Sequence, residues 1–249
     1  MFVFPMLGAS SRFKDAGYSR PKYMLPLFGM SLFHHVVRSF TKYFDTDDFL
    51  FISRNDPDEI KFISDSLEYL GVAHRLVTTE QVTNGQAHTV ALGLNLAAVH
   101  RNEELYIFNI DTILPDFTKP ISTEIGDAWL EVFHGSGDHW SFVLPGEEFR
   151  VLQTSEKNRI SNLCSVGLYY FRHRYMFDEA YHQALKKHEV GNGELYIAPL
   201  YNYLISNGVD VRYRIVPGSK VLFCGTPQEY TDASESSDMC IGMKETDGY

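Results

Sequence analysis

Short apolar runs alternate along the first half of the chain with segments whose apolar residues recur at helical spacing. Residues 2–7, 49–53, 73–77 and 104–110 are the apolar runs and predict buried strands. Between them, residues 31–44, 56–70 and 85–99 carry helical periodicity. The second of these opens on Asp56-Pro-Asp-Glu59, a favourable helix start. This strand–loop–helix–strand order predicts a parallel sheet with helices on both faces. Ligands of such sheets bind beyond the carboxyl ends of the strands. The loops 8–23 and 111–115 both leave strands at that end and are expected to lie close together. After Pro120 the pattern changes to strands at 129–133, 141–144, 150–153 and 165–171, helices at 175–187 and 194–206, and a strand at 209–216. The expected fold is therefore α/β: a Rossmann-like mixed, mainly parallel sheet with helices on both faces and a small covering subregion. With no repeat or linker, residues 1–232 are expected to form a single domain of two halves, 1–119 and 120–232. The Ser-, Asp- and Glu-rich stretch 233–249 is expected to be a loosely held tail.

Composition narrows the classes. The 249 residues are 44% hydrophobic and 14% aromatic, enough for a substantial core. A net charge of −10 argues against a nucleic-acid binder, although a few local Lys and Arg residues can still build a pocket for a small anion. Cys164, Cys224 and Cys240 are odd in number and widely spaced, which predicts reduced thiols of a cytoplasmic protein. The apolar opening Met-Phe-Val-Phe-Pro-Met-Leu is about seven residues long with no basic region before it, so it predicts a strand rather than a signal peptide or membrane span. Homo-oligomerisation is left open.

Four segments carry candidate chemistry. Gly8-Ala-Ser-Ser-Arg-Phe follows the first strand and leads to Gly17-Tyr-Ser-Arg-Pro-Lys-Tyr-Met-Leu-Pro-Leu-Phe-Gly29. Small residues over Leu7, Gly8, Ala9, Ser10 and Ser11 let backbone N–H groups approach phosphates, and Arg12 and Lys22 supply counter-charge. Neither the Walker A nor the G-x-G-x-x-G pattern is present. The plain alternative is a surface turn. In Gln81-Val-Thr-Asn-Gly-Gln-Ala-His-Thr-Val90, Gln81 can read a base edge and Gly85 permits close approach. Alternatively, Thr83 or Asn84 caps an ordinary helix, and His88 is expected to be structural. Asp111, at the end of an apolar strand, suits a Mg²⁺ ligand or else caps a turn. Glu194, in Glu194-Leu-Tyr-Ile-Ala-Pro-Leu-Tyr-Asn202, either meets hydroxyl or amine groups of an acceptor or belongs to a core helix. Trp140 and Ser141 either border the same region or, for Trp140, belong to the core, the commoner place for an aromatic on a strand.

Taken together, the first segment resembles the signature of the sugar-phosphate nucleotidylyltransferases: a glycine-rich loop, a Ser-Arg pair, Pro-Lys, then Met24-Leu-Pro-Leu and Gly29. The resemblance implies that Gln81, Asn84, Gly85 and Gln86 hold the base and that Asp111 holds Mg²⁺. Glu156-Lys157 resembles the Glu-Lys pair whose lysine meets the acceptor. Ser165-Val-Gly-Leu-Tyr-Tyr-Phe171 resembles the strand closing the acceptor pocket, which implies a role for Gly167. Phe223-Cys-Gly-Thr-Pro-Gln-Glu-Tyr230 resembles a late Gly-Thr-Pro-Glu-Asp turn. The match runs in order through most of residues 1–232. There are two departures. Ser10 replaces a loop glycine, and Phe223 stands where many relatives carry a second metal-binding Asp, so that either Asp111 works with water ligands alone or another acid, Glu194 or Asp138, fills the place.

The implied reaction transfers a nucleoside monophosphate from an NTP (CTP, GTP or UTP/dTTP) to a small phosphorylated acceptor, foremost a sugar 1-phosphate, for capsule or surface-polysaccharide supply. The alternatives are a CTP-dependent cytidylyltransferase acting on a phosphocholine- or phosphoamide-type compound, and a glycosyltransferase or non-catalytic member of the same fold.

Overall fold

The computed structural model describes residues 1–121, 126–188 and 193–235. The first half contains β1 (Phe2–Pro5), α1 (Ser11–Asp15), α2 (Leu32–Arg38), β2 (Phe49–Arg54), α3 (Pro57–Leu70), β3 (His74–Thr79), α4 (Gln86–Leu96) and β4 (Leu105–Phe108). The second contains β5 (Ala128–His134), β6 (Ser141–Pro145), β7 (Val151–Glu156), β8 (Leu163–Phe171), α5 (Arg174–His188), α6 (Tyr201–Ser206), β9 (Val211–Ile215) and α7 (Pro227–Glu235). These strands form one mixed sheet in the order β7-β6-β8-β4-β1-β2-β3, and β5 lies between β8 and β9. Strands β4, β1, β2 and β3 are mutually parallel. The long strand β8 runs antiparallel to β4 along one part of its length and to β5 and β6 elsewhere, which joins the two halves into one sheet.

The continuous apolar runs of β1, β2 and β4 are explained by burial on both faces. Side chains alternate across β1: Phe2 and Phe4 enter one core, while Met1 and Val3 enter the other. The first core is aromatic, with Phe2 stacked on Phe49 at 5.1 Å and Phe4 on Phe51 at 4.8 Å, and it is covered by α2, α3 and α7. The second is covered by α4, α5 and α6. Helix α3 starts where its sequence predicts: Asp56 Oδ1 accepts from the N–H groups of Asp58 and Glu59, each at 3.0 Å, and Gly71 ends the helix in the left-handed region at φ 69°. Among the described residues, no helix is long and apolar enough to cross a membrane. Cys164 and Cys224 are buried and unbridged, and Cys240 lies outside the described residues.

Four expectations change. The helix expected over 194–206 is confined to a 3-10 turn at Ala198–Leu200 and α6, because Leu195 spends both main-chain groups elsewhere. Its N–H donates to the Asn84 carbonyl and its carbonyl accepts from the Ala87 N–H, both at 2.8 Å. The helix expected over 31–44 stops at Arg38 and is followed by a separate 3-10 turn, Thr41–Tyr43. The loop 8–23 contains the short helix α1. The start of the expected tail continues α7 as far as Glu235, and residues 236–249 lie outside the described residues.

Candidate active site

A cavity of about 1050 Å³ opens at the carboxyl ends of β1, β2, β3 and β4 and extends over β6, β7 and β8. It contains the two loops expected to meet: Lys22 forms an ion pair with Asp111 Oδ2, with both side chains about four-fifths buried. Residues 89 positions apart in the chain are thus joined at the centre of the cavity.

The loop after β1 is held by backbone geometry. Ser10 adopts the left-handed conformation, φ 49° and ψ 33°, and its carbonyl accepts from the N–H groups of Phe13 and Lys14 as α1 begins. The glycine replaced at this position therefore changes the residue and leaves a left-handed turn. Ser10 Oγ accepts from the Lys22 N–H at 3.4 Å, tying the loop to the lysine segment. Arg54, at the end of β2, donates to the carbonyls of Leu7 at 3.0 Å and Gly8 at 2.9 Å. Arg54 is itself placed near Glu59 at 3.9 Å, and Glu59 accepts from the Tyr23 hydroxyl at 2.5 Å. With these carbonyls engaged, the loop N–H groups are the main-chain groups offered to a ligand. Leu7, Gly8, Ala9, Ser10 and Arg12 line the cavity; Ser11, which begins α1, does not.

On the neighbouring wall, Gln81, Val82, Gly85 and Gln86 face the cavity. Asn84 does not: its N–H is taken by His88 Nδ1 at 3.0 Å, and its carbonyl holds Leu195. The structural reading of His88 is consistent with this contact. Gly85 is required on two counts. Its φ is +101°, and a Cβ there would stand 2.5 Å from the Leu195 backbone nitrogen. Gln86 Nε2 donates to Asn109 Oδ1 at 2.5 Å. The Asn109 side chain packs so closely on Gly167 that a Cβ would lie 2.4 Å from Nδ2, and the Gly167 φ is +86°. Gly167 thus supports Asn109 from beneath.

At the end of the cavity over β6 and β7, Lys157 (φ 53°) places Nζ 2.6 Å from the Tyr196 hydroxyl and 4.6 Å from the centre of its ring. The Tyr196 hydroxyl also bonds to Glu194 Oε2. Glu156 is bonded to Ser141 Oγ, and burial, with a smaller contribution from the Glu194 carboxylate, pushes its pKa up. The opposite side is aromatic: Trp140 lies 4.7 Å from Phe223 and 5.1 Å from Phe133, ring centre to ring centre, with the His139 ring tilted against Trp140 at 4.3 Å.

Phe223 therefore belongs to an aromatic wall, and the acid nearest Asp111 across Gly225 is Glu229. A Cβ on Gly225 would stand 3.2 Å from Asp111 Oδ2 and 3.4 Å from Glu229 Oε2, so the missing side chain leaves a cleft between two carboxylates. Glu229 also completes a capping box, accepting from the Thr226 N–H at 2.9 Å while Thr226 Oγ1 accepts from the Glu229 N–H at 3.2 Å. Asp138 is elsewhere, exposed and paired with Arg159 at 3.3 Å. Asp111 and Glu229 are hard oxygen donors of the kind a divalent cation takes, but Lys22 occupies Asp111 Oδ2, and no group of three or more His, Cys, Asp or Glu side chains able to hold a metal stands together among the described residues. Cys224 lies beside the same carboxylates; burial first, then Asp111 and Glu229, push its thiol up to about 12, which keeps it protonated and unreactive.

The contribution of Arg54, Tyr196 and Glu229 to this site was missed by sequence reasoning. The Thr226-Pro-Gln-Glu229 spacing was a visible capping signal, whereas Arg54 and Tyr196 had none.

A mixed, mainly parallel sheet with a small-residue loop after β1 and a lysine–aspartate pair at its carboxyl edge is the arrangement of a nucleotidyltransferase fold. The chain belongs to the sugar-1-phosphate nucleotidyltransferase family and is an enzyme of nucleotidyl transfer. It is 44% identical to a nucleoside-diphosphate-sugar pyrophosphorylase from Vibrio cholerae RC9, with a TM-score of 0.89 over 95% of this chain and 100% of that one. The same fold recurs in the inositol-1-phosphate CTP transferase from T. maritima (17% identity, TM-score 0.72, 98% of this chain and 94% of that one). It recurs again in a UDP-glucose pyrophosphorylase complexed with UDP-glucose (16% identity, TM-score 0.73, 98% of each chain). No family model matches the chain, and no curated protein does.

Proposed function

We propose that the chain transfers a nucleoside monophosphate from an NTP to a sugar 1-phosphate, giving an NDP-sugar and pyrophosphate. In this reading, an oxygen of the acceptor phosphate attacks the α-phosphorus while the bond to the bridging oxygen of the β-phosphate breaks in line. Such transfer requires alignment and charge neutralisation more than covalent help. The observation that carries the reading is the meeting of Lys22 and Asp111 beside the loop after β1. The N–H groups of Leu7 to Ser10, with Arg12, would receive the triphosphate. Lys22 would neutralise the α-phosphate as charge develops, and Lys157 would turn to the acceptor phosphate. Gln81, Gly85 and Gln86 would hold the base, and Val82, 92% exposed at the cavity wall, offers it an apolar surface. Asp111, with Glu229 across the Gly225 cleft, would hold Mg²⁺, which supplies charge neutralisation to the phosphates when bound. The setting implied is the cytoplasm and the supply of capsule or surface-polysaccharide precursors.

A second reading, a CTP-dependent enzyme for a small non-sugar phosphate, is favoured by the Trp140–Phe223 wall, which offers faces rather than hydrogen-bonding groups. The test is pyrophosphate release with Mg²⁺, each of the four common NTPs and a panel of sugar 1-phosphates and small amine phosphates. Release that requires one NTP and one acceptor together is the expected result. Absence of NTP binding would sink the reading.

A further inference from the structure

Lys157 is expected to meet a phosphate, yet its ammonium rests in a place built for a cation. It stands over the Tyr196 ring at 4.6 Å and against the Tyr196 hydroxyl at 2.6 Å, and that hydroxyl is in turn bonded to Glu194. An aromatic face with a phenolic oxygen and carboxylates around it is the arrangement that holds ammonium groups. Glu156 adds a second carboxylate, largely buried against Ser141. Elsewhere on the cavity wall Lys22 meets Asp111, and His139 lies 3.7 Å from Glu229. Once Lys157 turns to an acceptor phosphate, Glu156 and Glu194 lose the cation beside them. Glu194 is exposed and Glu156 half-buried, so the loss leaves two neighbouring carboxylates at the cavity wall facing each other with no cation between them, an arrangement that a positively charged group relieves.

We propose that Tyr196, Glu194 and Glu156 form a subsite for an ammonium group carried by the acceptor, and that the Lys157 ammonium holds the place until that acceptor arrives. This rests on the nucleotidyl-transfer reading above and adds the chemical class of its acceptor: a phosphomonoester bearing a positively charged nitrogen. An amino sugar 1-phosphate and an amino alcohol phosphate share that chemistry. The Trp140–Phe223 faces opposite suit the carbon skeleton of either.

The test is calorimetric titration of the full chain, with Mg²⁺ and a non-hydrolysable NTP analogue bound, against two matched pairs. Glucosamine 1-phosphate is compared with glucose 1-phosphate, and ethanolamine phosphate with glycerol phosphate. The expected result is roughly tenfold tighter binding of the amine in at least one pair, and the pair that shows it names the source. Tyr196→Leu and Glu194→Gln should each weaken the amine severalfold more than its uncharged partner and so remove most of that preference, with unchanged affinity for the NTP analogue reporting an intact fold. Equal affinities in both pairs, no acceptor binding at all, or a preference that survives both substitutions would overturn the proposal. Titration of the NTP analogue alone separates the two levels: its failure to bind counts against nucleotidyl transfer itself, whereas normal NTP binding with no amine preference counts only against the ammonium subsite.

Discussion

At the end of the cavity proposed for the nucleotide the wall is main chain held by other groups of the fold. Arg54 grips two loop carbonyls, Ser10 holds a left-handed turn, and Gly85 lies against the Leu195 backbone. At the end proposed for the acceptor the wall is side chains held by side chains, namely Lys157 on Tyr196, Tyr196 on Glu194 and Trp140 on Phe223. The contrast teaches how one fold serves many acceptors. Main-chain donors cannot be altered by substitution without moving the fold, and they suit a group that every NTP shares. Side chains can be exchanged one at a time, and they suit the partner that differs between relatives.

This contrast can be broken or sharpened experimentally. Lys22→Ala, at the junction of the two ends, is expected to lower kcat about 10²- to 10³-fold or more while NTP binding persists. Steady-state pyrophosphate release measures it, and near-normal turnover would remove Lys22 from the chemistry. Gly85→Ala should come next. Its Cβ would meet the Leu195 backbone at 2.5 Å with φ at +101°, and we expect about 2 kcal/mol or more of lost stability with a lower Tm. Gly8→Ala is its control, because nothing lies within 4 Å of the added carbon, and it should stay within about 0.5 kcal/mol of the parent. If the two variants melt alike, the close main-chain approach at Gly85 is not what constrains the loop. Arg54→Ala removes two bonds to the loop, each contributing about 1 kcal/mol, so KM for the NTP should rise about tenfold with the acceptor KM unchanged. Phe223→Leu should have the smallest effect and the reverse selectivity: loss of the ring contact raises the acceptor KM about threefold and leaves the NTP KM alone. A change in both constants for either variant would mean that the two ends are not separable.

Legibility in the sequence divides along similar lines. Strands β1, β2 and β4 were visible because burial on both faces demands unbroken apolar runs, and their carboxyl-end loops then placed Lys22 near Asp111. The segment after Glu194 was not visible. Its apolar spacing fits a helix, and only the distant partners Asn84 and Ala87 divert the Leu195 main chain. The same limitation hid Arg54, whose role depends on carbonyls 46 and 47 positions away. Glu229 belongs to a local signal, the capping box, but its nearness to Asp111 comes from the packing of α7 beside the cavity. Local pattern thus revealed the scaffold and the groups attached directly to strand ends, while contacts between distant loops required the assembled fold.

The main-chain bonds between Leu195 and the segment at Asn84 and Ala87 have a kinetic consequence. They join the stretch that flanks the base to the stretch that carries Glu194 and Tyr196, so ordering either one restricts the other. A nucleotide that settles first lowers the entropic cost of settling the acceptor, and linkage makes the benefit mutual. Initial-rate patterns should therefore show each substrate lowering the apparent dissociation constant of the other, a synergism absent from two independent pockets that share only a wall.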